Sequence, residues 1–333
     1  MKKWYLWLVA SLLIVGLLSA CGTDNQEESL TEEAPTEETK EQEETTGSEE
    51  AAAAFPITIT DATGSEIVIE EEPQTLISLV PSNTEIVYAL EALDRVVAVT
   101  DNDDFPEEVK DIDTIGGMEF NVEKIIAANP DLVLANEMNN EEGLDQIRNA
   151  GVQVLVVNNA SSFAQLYDSI EMVGNAVGKS EEAKNVITSM QDRINEIQTK
   201  ASEIEEADKT TVWVEIWPAP DMYTTGKDTF MHEMLEIINA TNAAGEQEGW
   251  PMFTEEDAVV LNPDVIITTY GHVEGMENAV EDVLARTAWT EVEAIKNERV
   301  YNIEANIVER PGPRLIEGVE KLAKLIYPDV FKN

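Results

Sequence analysis

The tripeptide Asn-Pro-Asp occurs twice in this chain, each time inside the same local pattern. NVEKIIAANPDLVLAN (121–136) and FTEEDAVVLNPDVIITTY (253–270) both read as a short helix that runs up to a proline and then into an apolar strand. Proline disfavours helix in the residue before it, so each helix has to stop at its asparagine. Glu123 and Glu256 both stand seven residues ahead of their prolines. A second pair keeps the same order: PSNTEIVYALEAL (81–93) is similar to GKDTFMHEMLEII (226–238), with Asn83 and Asp228 where helix N-caps belong. A unit written twice predicts two lobes of similar construction.

The rest of the pattern is α/β. The runs ITIT (57–60), LISLV (76–80), VVAVT (96–100), LVLA (132–135) and VQVLVV (152–157) predict strands from their β-branched content. TEIVYALEAL (84–93) repeats apolar residues at intervals of three and four, the helical period. Such alternation predicts central sheets flanked by helices, with a ligand cleft between the lobes. Between the two copies, residues 180–207 keep a 3.6-residue apolar period through Val186, Met190, Ile194, Ile197 and Ile204. At ~1.5 Å per residue that helix would reach ~40 Å and cross a whole lobe. One long rigid helix as the connection predicts a hinge with little freedom.

The sequence therefore divides into a signal (1–20), a tether (21–54), an N-terminal lobe (55–178), a connecting helix (179–208) and a C-terminal lobe (209–333). Lys2 and Lys3 precede the apolar run Trp4–Ala20, a secretory pattern whose alternative is an uncleaved membrane anchor. The run ends Leu18-Ser19-Ala20-Cys21, which resembles the lipobox of bacterial lipoproteins and implies acylation of Cys21. Cys21 is the only cysteine, so no internal disulfide is possible and the thiol reads as a lipid attachment point. Residues 22–54 hold twelve acidic side chains against one lysine and no aromatic, too little apolar bulk to fold.

Of the net −46, the tether carries −11 and the signal +2, which leaves −37 on the folded part. Nucleic acid and anionic membrane surfaces are poor partners for that field. Enzyme signatures are missing: there is no Gly-x-Ser-x-Gly elbow and no P-loop, and HEMLE at His232 lacks the second histidine of a zinc protease. An extracellular metal-dependent enzyme would have to gather His232, His272 and acids from separate segments, and an adhesin or scaffold would need no cleft at all. His232 is expected exposed on a helix and His272 in a loop. No catalytic residue, cofactor or dedicated metal site is expected.

In two-lobed α/β proteins, ligands bind between lobes and beyond the carboxyl ends of strands. The polar and flexible side chains at those ends are Ser82, Asn83, Asn102, Met118, Asn136 and Tyr270. Trp217, Tyr223 and Trp250 are the candidate stacking aromatics, Trp217 foremost because it ends the strand TVWVEIW beside two prolines. Glu309 and Arg310 follow the last strand in NIVERPGPRL. Arg310 is placed either to grip a ligand acceptor or to form an ion pair with Glu309 or another acid.

From about Thr75 to Tyr327 the chain resembles the substrate-binding proteins of ABC importers for vitamin B12 and ferric siderophores. The residues that carry the resemblance are LVPSNTEIVYAL, GGMEFNVEKIIAANPDLVLA, the Tyr223-Thr-Thr-Gly-Lys turn, FTEEDAVVLNPDVIITTY and VERPGPRL. It implies a lipid-anchored monomer on the extracytoplasmic face of the cell membrane, in a Gram-positive setting, delivering a metal chelate to permease and ATPase subunits. It also implies one glutamate per lobe that docks into the permease, near Glu141 (with Glu142 its neighbour) and at Glu256. Within the family the chain looks most like the cobalamin branch, through SNTE, GGM and IVERPGPR. One departure is that the positions where that branch carries aromatics match Asn102, Gly117 and Asn136 here. The few cations near the cleft, Lys227, Arg310 and Arg314, suit a neutral corrinoid or hydroxamate better than an anionic catecholate; heme is the further alternative.

Overall fold

The computed structural model describes residues 55–332. The signal, Cys21 and the tether lie outside the described residues. The N-terminal lobe begins with a hairpin of β1 (Ile57–Thr60) and β2 (Glu66–Ile69). There follow β3 (Leu76–Ser78), α1 (Pro81–Ala89), β4 (Val96–Val99), β5 (Asp113–Thr114), α2 (Val122–Ala128), β6 (Leu132–Asn136), α3 (Glu141–Asn149) and β7 (Val154–Val157). Two helices lead onward, α4 (Phe163–Ala176) and α5 (Ser180–Ala201). The C-terminal lobe contains β8 (Thr211–Glu215), β9 (Met222–Tyr223), α6 (Phe230–Ile237), β10 (Thr241–Asn242), β11 (Met252–Phe253), α7 (Glu255–Val260), β12 (Val265–Thr268), α8 (Ala279–Leu284), α9 (Glu293–Lys296), β13 (Val300–Asn302) and α10 (Leu315–Ile326).

The two main sheets are parallel and share one strand order apart from an extra edge strand, β5, in the first. The first runs β5-β4-β3-β6-β7 and the second β10-β8-β12-β13. The repeat seen in the sequence is visible atom by atom. Asn129 and Asn262 both adopt the left-handed conformation, with φ of 46° and 45°. The next aspartate of each copy then turns back on the start of the first strand of its main sheet, β3 or β8. Asp131 Oδ2 accepts from Thr75 N at 2.9 Å, and Asp264 Oδ2 accepts from Thr211 N at 2.8 Å.

Two expected caps are displaced. Proline at the first helical position starts α1 early, so Asn83 lies inside its first turn and Val80 stands at the cap. In the second copy Thr229 caps α6 through its hydroxyl, and Asp228 sits outside with φ 63°. The connecting helix is also shorter than the apolar period suggests. It stops at Ala201, where Asn239 Nδ2 donates to the carbonyls of Ala201 and Ile204, and resumes only as a single turn at Glu206–Asp208. Its 22 residues span ~33 Å.

The apolar side chains gather in three cores. α2 and α3 pack on one face of the first sheet through Ile125, Leu144 and Ile147. α7, α8 and α9 cover one face of the second sheet around Trp213 and Trp289. The other faces of both sheets meet a single continuous core built on α1, α4, α5, α6 and α10, with Leu76, Leu134, Val212 and Ile267 in one cluster. Burial of apolar surface thus joins the lobes through a shared layer, and opening them would expose it. Among the described residues no helix is long and apolar enough to cross a membrane.

Candidate functional site

Both parallel sheets direct their carboxyl ends toward the junction of the lobes, where the segment after β4 touches the segment after β13. Asp104 Oδ1 accepts from Arg310 at 2.7 Å, and its Oδ2 accepts from Asn306 Nδ2 at 2.6 Å. Arg310 also donates to Glu85 of α1 at 2.9 Å, and Arg314 grips the same carboxylate through Nε and Nη2 at 3.0 and 2.7 Å. The Arg314 guanidinium lies 3.9 Å from the centre of the Phe105 ring. Gly312 makes this approach possible, because a Cβ there would stand 2.9 Å from Glu85 Oε2. Arg310 therefore pairs with Glu85 and Asp104, not with its neighbour Glu309. Burial opposes ionisation of Asp104, but donation and charge from Arg310, with Asn306, hold its carboxyl below the ordinary range.

The C-terminal lobe presents a platform beyond the carboxyl end of β8. Expected as one strand through Trp217, the chain instead leaves the sheet after Glu215, because Ile216 N donates to Tyr223 O at 2.9 Å. Trp217 then pairs with Tyr223, and Tyr223 with Met252, so the three side chains share one face of a small ribbon. With Trp250 beside them, these four side chains are between 42% and 60% exposed. The opposite face is anchored: Met222 is fully buried and Phe253 packs edge-on against Trp213 with centroids 5.3 Å apart.

Below the platform lies a group that the sequence reading missed. Glu215 is completely buried and takes two hydrogen bonds from Arg286, at 2.6 and 2.8 Å. Tyr270, proposed from sequence as a ligand contact, is buried and donates its hydroxyl to Glu215 at 2.5 Å, so it faces inward. Burial and the charge of Glu215 push the Tyr270 hydroxyl well above the usual phenol range.

The N-terminal lobe offers a different surface. Asn83 donates to the carbonyl of Ala135 at 3.0 Å, and Asn136 donates to those of Val157 and Asn158 at 3.3 and 3.2 Å. Both are buried, as is Ser82, so these three expected contacts are framework. What remains exposed is Asn102, Met118 and, unanticipated, Met138. Glu309 is half hidden: one carboxyl oxygen is buried without a partner, and burial raises its pKa.

The histidines are apart. His232 is not exposed on its helix as expected; its Nδ1 lies 3.1 Å from Asn242 Nδ2 and its Nε2 lies 3.5 Å from Glu236. His272 stays in its loop, donating from Nδ1 to Thr269 O at 2.9 Å. Among the described residues no three His, Cys, Asp or Glu side chains are grouped to hold a metal ion. Of the two outlying glutamates, Glu141 forms an ion pair with Arg148 at 2.8 Å, while Glu142 and Glu256 are exposed. Glu256 occupies the second position of α7 after the capping Thr254, and its counterpart in the repeat is Glu123, second in α2 after the capping Asn121; Glu141 and Glu142 open α3, the next helix of the N-terminal lobe.

Comparison with known proteins agrees with this architecture. The sequence pattern of the family described as "Periplasmic binding protein" matches residues 76–307. The chain is 44% identical over 335 residues to the uncharacterized ABC transporter substrate-binding lipoprotein YvrC of Bacillus subtilis, covering all of this chain and 99% of that one. A cobalamin-binding protein of Halobacterium salinarum is 24% identical over 288 residues, 83% of this chain and 75% of that protein. Among solved structures, a possible iron-binding (periplasmic solute-binding) protein from Staphylococcus epidermidis superposes with a TM-score of 0.69 at 32% identity, over 77% of this chain and 100% of that one. The chain belongs to the periplasmic binding protein family, whose members bind substrates rather than transform them.

Proposed function

We propose that this protein is the extracytoplasmic substrate-binding lipoprotein of an ABC importer, held to the cell membrane through Cys21, and that it captures cobalamin or a related corrinoid. The exposed row of Trp217, Tyr223 and Met252 beside Trp250 carries this reading. Such a face offers large, rigid apolar area to a broad, nearly neutral macrocycle. Relatedness to a protein named cobalamin-binding supports the same ligand, and similarity to the Bacillus lipoprotein supports the importer role and the anchor. Glu141, with Glu142 beside it, and Glu256 would meet arginines of the permease, one from each lobe, fixing orientation and speeding encounter.

Titrating the detergent-solubilised full chain with cyanocobalamin while following tryptophan fluorescence tests the ligand. Saturable quenching at micromolar concentration or below is expected. Absence of quenching, together with saturable quenching by a ferric hydroxamate or heme, would overturn the corrinoid and leave the family intact. The similarity to a possible iron-binding protein at 32% identity makes the ferric chelate the second reading.

A further inference from the structure

We propose that Asp104 sets the charge selectivity of the interlobe cleft, by occupying Arg310 and so denying an anionic ligand its cation. The inference rests on the reading of this cleft as the ligand site, and it concerns which class of chelate can enter. Three carboxylates, Glu85, Asp104 and, at 3.7 Å from Arg314, Glu304, face two guanidiniums, Arg310 and Arg314, so the cluster carries no surplus positive charge. Both oxygens of Asp104 are committed, one to Arg310 and one to Asn306. Arg314 is held between Glu85 and the face of Phe105. Lys227, expected from sequence near the cleft, instead lines a cavity with Lys209, Thr211 and Thr241 at the amino ends of β8 and β10, 3.5 Å from Glu246. Both cleft arginines are thus already matched with carboxylates of the chain.

Two acids of the cluster play different parts. Glu85 is 1% exposed at its side chain and binds both arginines, so it belongs to the framework of the junction. Asp104 is 52% exposed and sits on the surface side of Arg310. A pair that open to water contributes only about 0–1 kcal/mol to folding. Its larger effect falls on a ligand: an incoming anion meets the Asp104 carboxylate first and must displace it to reach the guanidinium. A neutral chelate has no such competitor. Discrimination of this kind comes from a repulsive group set against the wrong partner, with no added attraction to the right one.

A matched pair of probes separates charge from shape. A ferric tris-catecholate and a ferric tris-hydroxamate present the same metal in similar coordination, the first strongly anionic and the second neutral. Both are titrated against the full chain and its Asp104→Asn variant, which keeps the size of the side chain. The ratio of the two affinities is expected to move toward the catecholate by about tenfold or more, the scale of one close charge contact. The shift should shrink with added salt and vanish when Arg310→Gln is combined with Asp104→Asn. Equal changes for both chelates, or a variant that still refuses the catecholate, would overturn the proposal. A wild-type chain that ignores cyanocobalamin would sink the corrinoid reading but leave this ratio to be measured on its own.

Discussion

In the N-terminal lobe, buried asparagines hold the carboxyl ends of the strands; in the C-terminal lobe the matching places are held by a buried ion pair. Asn83, Asn136 and Asn139 satisfy backbone groups of neighbouring segments, and none brings a charge out of water. Glu215 and Arg286 do the corresponding work at the end of β8, with Tyr270 as the third member. Amides carry little desolvation cost, whereas a buried charge is tolerable only while its partner is present. The difference follows what each lobe displays. The asparagine side supports a rim of loops bearing Asn102, Met118 and Met138, while the ionic side supports a ribbon whose aromatic face begins two residues beyond Glu215. An exposed aromatic platform has to be rigid to bind without ordering cost, and a bidentate pair supplies that rigidity.

Breaking the ionic side should therefore have the largest effect. Glu215→Ala leaves Arg286 nearly buried and unpaired, and a loss of about 3–5 kcal/mol in urea unfolding is expected. A loss below about 1 kcal/mol would mean the pair does not hold the lobe. Next comes the platform itself. Trp217→Ala and Tyr223→Ala should each weaken the ligand by about 2 kcal/mol or more in calorimetric titration, while changing unfolding little because both are exposed. If both variants bind as the wild type does, the ligand does not use the ribbon. The asparagine side is then probed by Asn136→Ala, which strands the carbonyls of Val157 and Asn158; about 1–3 kcal/mol is expected in the same unfolding assay. A loss as large as that of Glu215→Ala would erase the contrast between the lobes.

How much of this was legible in the sequence depends on whether the signal was local. Asn-Pro-Asp announced the repeat because proline and a left-handed asparagine impose their geometry on their own neighbours. Cap assignments slipped by a few residues where a better local competitor stood nearby, Pro81 in one copy and the Thr229 hydroxyl in the other. Strand ends were located well enough to name the cleft, but position along a strand says nothing about which way a polar side chain turns. Asn83, Asn136 and Tyr270 turned inward to meet carbonyls and a carboxylate from distant segments. Glu85, Asp104 and Glu215 escaped notice for a different reason. They are three among 67 acidic residues, and only the fold shows which ones meet an arginine.

The smallest expected effect concerns a second contact across the junction, where α4 meets α6. Phe163 N donates to Glu233 Oε2 at 2.9 Å, and the Phe163 ring packs edge-on against Phe230. Burial raises the Glu233 carboxyl above its ordinary value, with the Phe163 amide opposing and Glu236 adding to the rise. Between the unfolded value and this raised one, the folded chain holds more protons than the unfolded chain. Stability from this group is therefore gained as pH falls through the raised pKa and lost as pH rises from the unfolded value through it. The neighbouring Tyr167 hydroxyl moves the same way, pushed up to about 12 by burial and by Glu233, so its ionisation also weakens the contact at high pH. In Glu233→Gln the amide oxygen can still accept from Phe163 while the charge is gone. Melting temperatures recorded from pH 4.5 to 8 should show wild type and variant diverging as pH rises, with the variant the more stable at pH 8 by a fraction of ~1 kcal/mol. If wild type gains on the variant as pH rises, the Glu233 carboxylate strengthens this contact, and it too would rely on charge, as the Glu85 and Asp104 cluster does.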